Sequence, residues 1–364
     1  MKIGIDARLY GTKHRGLGRY VQKLVDGITQ IDQKNQYVIF LTEDNYNEFV
    51  SNNRKVRKVI INARWYSFKE QLVVSSIIKK QKVELMHFPH FNVPLYYNQR
   101  FIITIHDLII DHFPDSRATN LPPWHYKIKL WGYKKILNHA VQRAEKIIVP
   151  SNFVKTDLIS LYQVPADKIK VIYEGYFLEE TQEPIDISRF KITKPFLLFV
   201  GAAYPHKNLE RLIGAFHRIN KNRKCQLVLV GKTDEFYQQM QKRIDDNDII
   251  FTGFISESEL KGLYQKALVY VFPSLYEGFG LPPIEAQAQK LPVVSSNRSS
   301  LPEILGDSVL YFNPEDEQEM AEKIQLLLQS KTKRQELIVK GLANIKRFSW
   351  EKMIKETLEL YNRK

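Results

Sequence analysis

The run Leu268-Val269-Tyr270-Val271-Phe272-Pro273-Ser274-Leu275-Tyr276-Glu277-Gly278-Phe279-Gly280-Leu281-Pro282-Pro283-Ile284-Glu285-Ala286 decides the fold. Its first five residues are apolar without interruption, the pattern of a strand buried on both faces in a parallel sheet. Two glycines follow, then two prolines, then a helical stretch from Ile284. Gly278 and Gly280 lack a Cβ and leave their backbone open to close approach. Pro282 and Pro283 suit a first helical turn, whose N–H groups lack partners inside the helix. Strand, tight turn and helix start together offer amides to an anion. Glu277 and Glu285 bracket the turn, and a carboxylate can accept paired hydrogen bonds from sugar or ribose hydroxyls. Amides for phosphate and carboxylates for hydroxyls describe a sugar-nucleotide site.

The alternation repeats on both sides of this unit. Strands are expected at 196–201, 227–231, 249–253, 268–273, 292–296 and 309–312, with helices at 208–220, 235–245, 257–266, 283–289 and 318–329. The first half gives strands at 2–7, 37–42, 58–62, 85–89, 101–107, 146–151 and 169–173, and helices at 18–31, 68–80, 123–143 and 152–162. Strand-helix alternation of this kind implies doubly wound parallel sheets, two of them in tandem. Apolar periodicity lapses over 176–195, which reads as a linker. A last amphipathic helix begins near Ser349, a good N-cap without an acidic capping-box partner, since Lys352 stands three residues on. In such sheets ligands sit beyond the carboxyl ends of the strands, here in an expected cleft between the two domains.

With 364 residues and 44% hydrophobic content, the chain suits two globular domains. One cysteine, Cys225, excludes an intrachain disulfide framework and a cysteine-based zinc site, and favours a reducing compartment. The N-terminus Met1-Lys2-Ile3-Gly4-Ile5-Asp6 reads as a strand and not as a signal peptide. No window of eighteen apolar residues predicts a transmembrane helix. The net charge of +14 is lopsided: residues 1–175 hold 27 Lys/Arg against 15 Asp/Glu, and the remainder 27 against 25. A basic first half suits an anionic neighbour, whether nucleic acid, a lipid surface or a phosphorylated substrate; a soluble basic surface is the plainer account.

Other stretches divide into weak and useful signals. Gly16-Leu17-Gly18 opens a helix after the first strand, but Val21 stands where a dinucleotide fingerprint places its third glycine. Amides near Gly16 and Gly18 could still face a phosphate. Gly231-Lys232-Thr233 lacks the upstream glycine of a P-loop, Gln226 standing there instead. His106-Asp107 closes the fifth strand, where a neutral His106 could hydrogen-bond a substrate hydroxyl or donate to developing charge. His87 and His90 lie at a neighbouring strand end without the further ligands a metal would need. Lys207, at a strand-to-helix junction, is placed to offset diphosphate charge. The basic, aromatic stretch 122–135 fits either a membrane-interface helix or one that packs its aromatics on the core. Asp245-Asp246-Asn247-Asp248 is better read as a turn than as a metal site.

Taken in order, these segments resemble retaining GT-B glycosyltransferases of family 4, the glycosyl transferases group 1. Glu277 and Glu285 match its E-x7-E signature; Phe199-Val200-Gly201 with Pro205-His206-Lys207-Asn208-Leu209 is similar to its donor-phosphate segment. Leu301-Pro302-Glu303-Ile304-Leu305-Gly306-Asp307, Gly16-Leu17-Gly18-Arg19-Tyr20, Thr104-Ile105-His106-Asp107-Leu108 and Phe348-Ser349-Trp350-Glu351 extend the likeness nearly end to end. The resemblance implies two Rossmann-like domains with an inter-domain cleft. An acceptor-binding domain would span 1–175 plus a returning helix at 350–364. The nucleotide-sugar domain would span 196–349, after the 176–195 linker. It implies that Glu285 holds the ribose hydroxyls, and that Glu277 with Gly278, Phe279, Gly280 and Leu281 holds the sugar and diphosphate. Lys207 would neutralise the leaving phosphate, Gly16 and Gly18 would close over it, His106 would contact the sugar near the reacting carbon, and Phe254 and Ile255 would meet the base. One departure stands out. Ala202 follows Gly201 where many relatives carry an arginine, and His206 is a weaker substitute at neutral pH.

The expected activity is retaining transfer of a hexose, mannose from GDP-mannose, to a glycan or lipid-linked acceptor. No metal or other cofactor is expected, since no D-x-D pair sits at a suitable strand end. The expected setting is cytoplasmic, peripheral to the inner face of an anionic membrane, with no nucleic-acid partner. Two alternatives differ in class: another GT-B catalyst such as a nucleotide-sugar epimerase, or a non-catalytic nucleic-acid or membrane-binding protein.

Overall fold

The computed structural model describes residues 1–11, 15–63, 67–114, 123–176 and 186–362. The chain divides into two compact units, Met1–Gly175 with Phe348–Lys364, and Tyr176–Arg347. Residues 348 and 349 thus lie with the first unit and 186–195 with the second.

In the first unit the elements run β1 (Lys2–Asp6), α1 (Arg15–Ile31), β2 (Gln36–Leu41), β3 (Val56–Ile60), α2 (Phe68–Lys80), β4 (Leu85–Phe88), β5 (Phe101–Thr104), α3 (Ile109–His112), α4 (Pro123–Arg143), β6 (Ile147–Val149), α5 (Asn152–Tyr162) and β7 (Ile169–Val171). The strands form one parallel sheet in the order β3-β2-β1-β4-β5-β6-β7. β4, β5 and β6 are buried throughout, and their residues are apolar except His87 and Thr104. β3, on the edge, carries the basic pair Arg57-Lys58 among apolar residues and stays part-exposed. It starts two residues before the expected 58, because its pairing with β2 begins at Val56 opposite Tyr37. Serine caps fix two helix starts: Ser67 Oγ accepts from the Glu70 amide, and Ser151 Oγ from the Val154 amide.

The second unit runs β8 (Phe196–Val200), α6 (Leu209–Ile219), β9 (Gln226–Val230), α7 (Glu235–Arg243), β10 (Ile249–Gly253), α8 (Glu257–Lys266), β11 (Val269–Phe272), α9 (Leu281–Ala288), β12 (Val293–Ser296), α10 (Leu301–Leu305), β13 (Leu310–Phe312), α11 (Glu317–Gln329) and α12 (Lys331–Asn344). Its parallel sheet has the order β10-β9-β8-β11-β12-β13. Ser256 and Glu259 form a full capping box on α8. The acidic run before β10 is a turn, with the Asp248 amide donating to Asp246 Oδ1 and the Ile249 amide to the Asp246 carbonyl.

The last helix, α13 (Trp350–Asn362), returns to the first unit, and Ser349 caps it through the Lys352 amide. Met353, Ile354, Leu360 and Tyr361 join a core with Ile3 and Ile5 of β1 and with Tyr20, Val21, Leu24, Val25 and Ile28 of α1. These α1 positions recur at helical spacing and form one buried face. Gly27 lets the helices meet, since a Cβ there would run into the Ile354 side chain. Among the described residues, no helix is long and apolar enough to cross a membrane.

Candidate functional site

In the second unit the strand order reverses between β8 and β11. A doubly wound sheet forms its ligand crevice at such a place. After β8 the chain passes through Gly201 and a 3-10 turn at Pro205–Lys207, then enters α6 through Asn208 in the left-handed region at φ 60°. Asn208 Nδ2 donates to the carbonyls of Pro273 (3.1 Å) and Pro314 (2.7 Å), and the Leu275 amide donates to the His206 carbonyl (2.7 Å). The loops after β8 and β11 are therefore stitched together by one side-chain and one backbone hydrogen bond.

That stitching brings Lys207 to Glu277, with Nζ 2.6 Å from Oε1 and both side chains largely buried. Lys207 Nζ also lies 5.5 Å from the Phe272 ring centroid. The Glu277 backbone is fixed from the other side. Its amide donates to Ser299 Oγ (2.9 Å), while Ser300 Oγ donates to the carbonyls of Glu277 (2.9 Å) and Phe279 (3.1 Å). Gly280, at φ 102°, turns the chain into α9, a conformation that strains any residue with a Cβ. The helix starts at Leu281, three residues before Ile284, because Pro282 and Pro283 occupy its first turn. They bring no N–H, so Gly280 and Leu281 supply the amides at the helix start. Glu285 is half-buried one turn on, and Tyr264 of α8 donates to its Oε2 at 3.3 Å.

His206 is buried against Tyr204, their ring centroids 5.9 Å apart. Burial and the Lys207 ammonium push its pKa down to about 4, so at neutral pH it adds no charge. Ala202, directly after Gly201, is buried. Phe254, beyond the carboxyl end of β10, is 82% exposed, and Ile255 beside it is half-buried.

In the first unit the polar side chains also gather past the carboxyl ends of strands. Gly16 and Gly18 lie in the first turn of α1, Gly16 exposed and Gly18 buried; residues 12–14 of the glycine loop lie outside the described residues. Tyr20, one turn further, sets its ring edge-on to His106 with centroids 4.5 Å apart. A buried hydrogen-bonded chain runs Tyr20 Oη, Thr104 Oγ1 (3.3 Å), His87 Nε2 (2.9 Å from Thr104) and His87 Nδ1 to Tyr361 Oη of α13 (2.6 Å). His106 Nδ1 lies 2.9 Å from Glu174 Oε1, and its Nε2 lies 3.2 Å from the Pro89 carbonyl. Burial alone would lower the His106 pKa, but the hydrogen bond and charge of Glu174 raise it above the ordinary value. Sequence alone suggests a neutral ring; the Glu174 carboxylate beside it favours the protonated form.

Sequence reasoning did not single out Glu174, Ser299, Ser300 or Tyr264. Glu174 carried one usable signal, an acidic residue just past a strand end. The serines carried none, since their role is to hold a turn 22 residues away in sequence.

Opposite histidine shifts give the protein a pH signature. Burial holds His87 down to about 3, as it holds His206 to about 4. Such groups contribute stability that is complete above pH 6.5 and is lost as pH falls through the folded values, on the order of 1.4 kcal/mol per pH unit for each. His106 acts in reverse, contributing below pH 6.5 and losing its contribution as pH rises through its raised value. Melting temperature is therefore expected to fall between pH 6.5 and 4.5, and His87→Gln is expected to flatten that slope. An unchanged slope in the variant would remove His87 from this account.

Residues 181–344 match the family model described as Glycosyl transferases group 1, and residues 14–180 match Glycosyltransferase Family 4. O-antigen chain mannosyltransferase B of Escherichia coli is 29% identical over 296 residues, covering 78% of this chain and 75% of that protein. O-antigen chain mannosyltransferase RfbU of Salmonella typhimurium is 32% identical over 262 residues, covering 70% and 67%. Among solved structures, sucrose-phosphate synthase from Thermosynechococcus elongatus superposes with a TM-score of 0.75 at 20% identity, covering 99% of this chain and 98% of that one. WaaG, a glycosyltransferase involved in lipopolysaccharide biosynthesis, does so with a TM-score of 0.72 at 12% identity, covering all of both chains. At these identities the two structures bear on the fold alone.

Proposed function

The chain belongs to glycosyltransferase family 4 with the GT-B fold, and on that premise we propose that it transfers mannose from GDP-mannose to a glycan or lipid-linked saccharide. The proposed transfer retains the anomeric configuration and uses no metal. The observation that carries the donor site is the Lys207–Glu277 pair at the strand-order reversal, beside the Gly280 turn. A cation and backbone amides suit a diphosphate, and the two carboxylates Glu277 and Glu285 suit sugar and ribose hydroxyls. Lys207 takes the leaving phosphate, with the amides of Gly278, Phe279, Gly280 and Leu281. Gly16 and Gly18 supply further amides, and Phe254 and Ile255 serve the base. His106 contacts the sugar near the reacting carbon. The choice of mannose is supported by the names of the two O-antigen relatives.

The test is a product assay on the full chain with GDP-mannose, GDP-glucose and UDP-glucose, each with and without a lipid-linked saccharide. Acceptor-dependent mannose transfer is expected. Release of an epimerised sugar from donor alone would replace the transferase with an epimerase. A melting-temperature screen of nucleoside diphosphates identifies the base, because a ligand at about a hundred times its Kd adds roughly 2.7 kcal/mol.

The proposed setting is the cytoplasmic face of an anionic membrane. Support comes from α4, where Trp124, Ile128 and Trp131 are each at least 60% exposed and recur at helical spacing, with Lys127, Lys134 and Lys135 also exposed. The opposite face packs through Tyr133, Leu137 and Ala140. Aromatic side chains set among lysines favour a lipid interface. The protein is expected to float with vesicles containing anionic lipid, and Trp124→Ser with Trp131→Ser is expected to leave it in the soluble fraction. Equal flotation of variant and parent would count against this face.

A further inference from the structure

We propose that Glu174 is a positioning residue that holds His106 as an imidazolium, so that His106 serves as a fixed donor and positive charge and not as a proton acceptor. The role in transfer rests on the reading above; the charge state does not.

The argument begins with hydrogen-bond valence. The Pro89 carbonyl can only accept, so the His106 Nε2 that lies 3.2 Å from it carries a proton. Nδ1 lies 2.9 Å from Glu174 Oε1, and a carboxylate also only accepts. With Glu174 ionised, both nitrogens are donors and the ring is positive. Glu174 is 5% exposed, so it has little water to satisfy it, and the pairing offsets the cost of burying either group alone.

The surroundings agree. Among the described residues, polar groups near the ring include Asp107 on its own segment, Tyr20 from α1, and His87 and His90 on the β4 side. Asp107 favours the positive ring, and the lowered values of His87 and His90, both about 3, leave those rings neutral beside it. The position of Glu174 is also constrained. The next residue, Gly175, lies so close to the backbone and indole of Trp350 that a Cβ would collide with both. Glu174 is thus anchored through its neighbour to the returning helix, three residues beyond the end of β7.

The assignment decides where protons go. In transfer, the bond from the anomeric carbon to the diphosphate oxygen breaks and a bond to the acceptor oxygen forms. An imidazolium has no lone pair for the acceptor proton, which instead passes to a phosphate oxygen of the leaving group. His106 can redirect its Nε2–H from Pro89 to a sugar oxygen, while Glu174 keeps the ring in place.

The experiment is a titration of the imidazole resonances of the full chain by nuclear magnetic resonance, with His106 assigned by its loss in His106→Gln. In the parent the His106 midpoint is expected above 6.5, and in Glu174→Gln it is expected to move to lower pH. A parent midpoint below 6.5, or an unmoved midpoint in Glu174→Gln, overturns the pairing. The kinetic arm is kcat against pH. In the parent, activity is expected to decline on the alkaline side as His106 loses its proton. Glu174→Gln is expected to bring that decline to lower pH and to reduce kcat about tenfold to a hundredfold with little change in donor KM. Glu174→Asp is expected to recover part of it. If His106→Gln turns over normally, the transfer role fails even where the titration upholds the pairing. If His106→Gln is inactive but the profile of Glu174→Gln matches the parent, the positioning role fails and the transferase reading stands.

Discussion

Glu277→Ala is expected to reduce sugar transfer by about a thousandfold, the scale on which loss of one preorganised polar group acts, while the protein still folds. The carboxylate is 2.6 Å from Lys207 Nζ, and its backbone is fixed by Ser299 and Ser300 independently of the side chain. Alanine therefore removes the proposed acceptor for the sugar hydroxyls and frees the lysine without releasing the turn. Glu277 is the partner that holds Lys207 in place. A diphosphate arriving at the Gly280 turn would compete for that ammonium. It follows that Glu277→Gln, which keeps the shape and drops the charge, should bind nucleoside diphosphate several-fold more tightly while transfer collapses. Such a split is the mark of a group that acts on the transition state and not on uniform binding. Lys207→Met should lose both binding and turnover. Near-normal turnover in Glu277→Ala would sink the site assignment.

The parts of the molecule that were legible in sequence share a cause, as do the parts that were not. β8, β9 and β11 are buried on both faces, so their composition, Gln226 at the start of β9 apart, is apolar without regard to neighbours, and they could be placed to within a residue or so. α12 was missed because only Leu337, Gly341 and Asn344 of its fourteen residues are buried, too thin a stripe to show as a period. α10 was missed because five residues cannot display one. At the site, Glu277, Gly280 and Glu285 were legible because they fall within one turn and one helix start, where local chemistry sets residue type. Lys207 is a strand-end lysine like any other until the fold closes 70 positions of chain onto Glu277. The carboxylate partner of His106 was hidden for the same reason, since Glu174 is 68 residues distant. Local rules find turns; partners across a sheet are set by topology.

Arg8→Met is expected to destabilise the first unit by about 3–5 kcal/mol, the cost of removing one partner from a buried ion pair. The Arg8 side chain has no exposed surface. Its Nε and Nη2 donate to the two Asp6 oxygens at 2.8 and 2.7 Å, and Nη1 donates to Glu70 Oε1 at 2.8 Å, where Asn92 Nδ2 also donates at 2.9 Å. One guanidinium thus joins the end of β1 to the first turn of α2, and Glu70 extends the network to the loop after β4. Methionine fills similar volume but leaves two carboxylates in the interior, Asp6 4% exposed and Glu70 not at all. Arg8→Lys keeps the charge but not the fork, and should cost less. Adding Glu70→Gln to Arg8→Met should recover part of the loss, because the stranded charge is the source of the cost. The measurement can be confined to the right unit. All four tryptophans, Trp65, Trp124, Trp131 and Trp350, belong to the first unit, so indole fluorescence follows its unfolding without a signal from the second. For a unit of this size the loss corresponds to a fall of roughly 6–20 °C in the fluorescence midpoint. A midpoint within two degrees of the parent would mean that the buried carboxylates find other partners once Arg8 is gone.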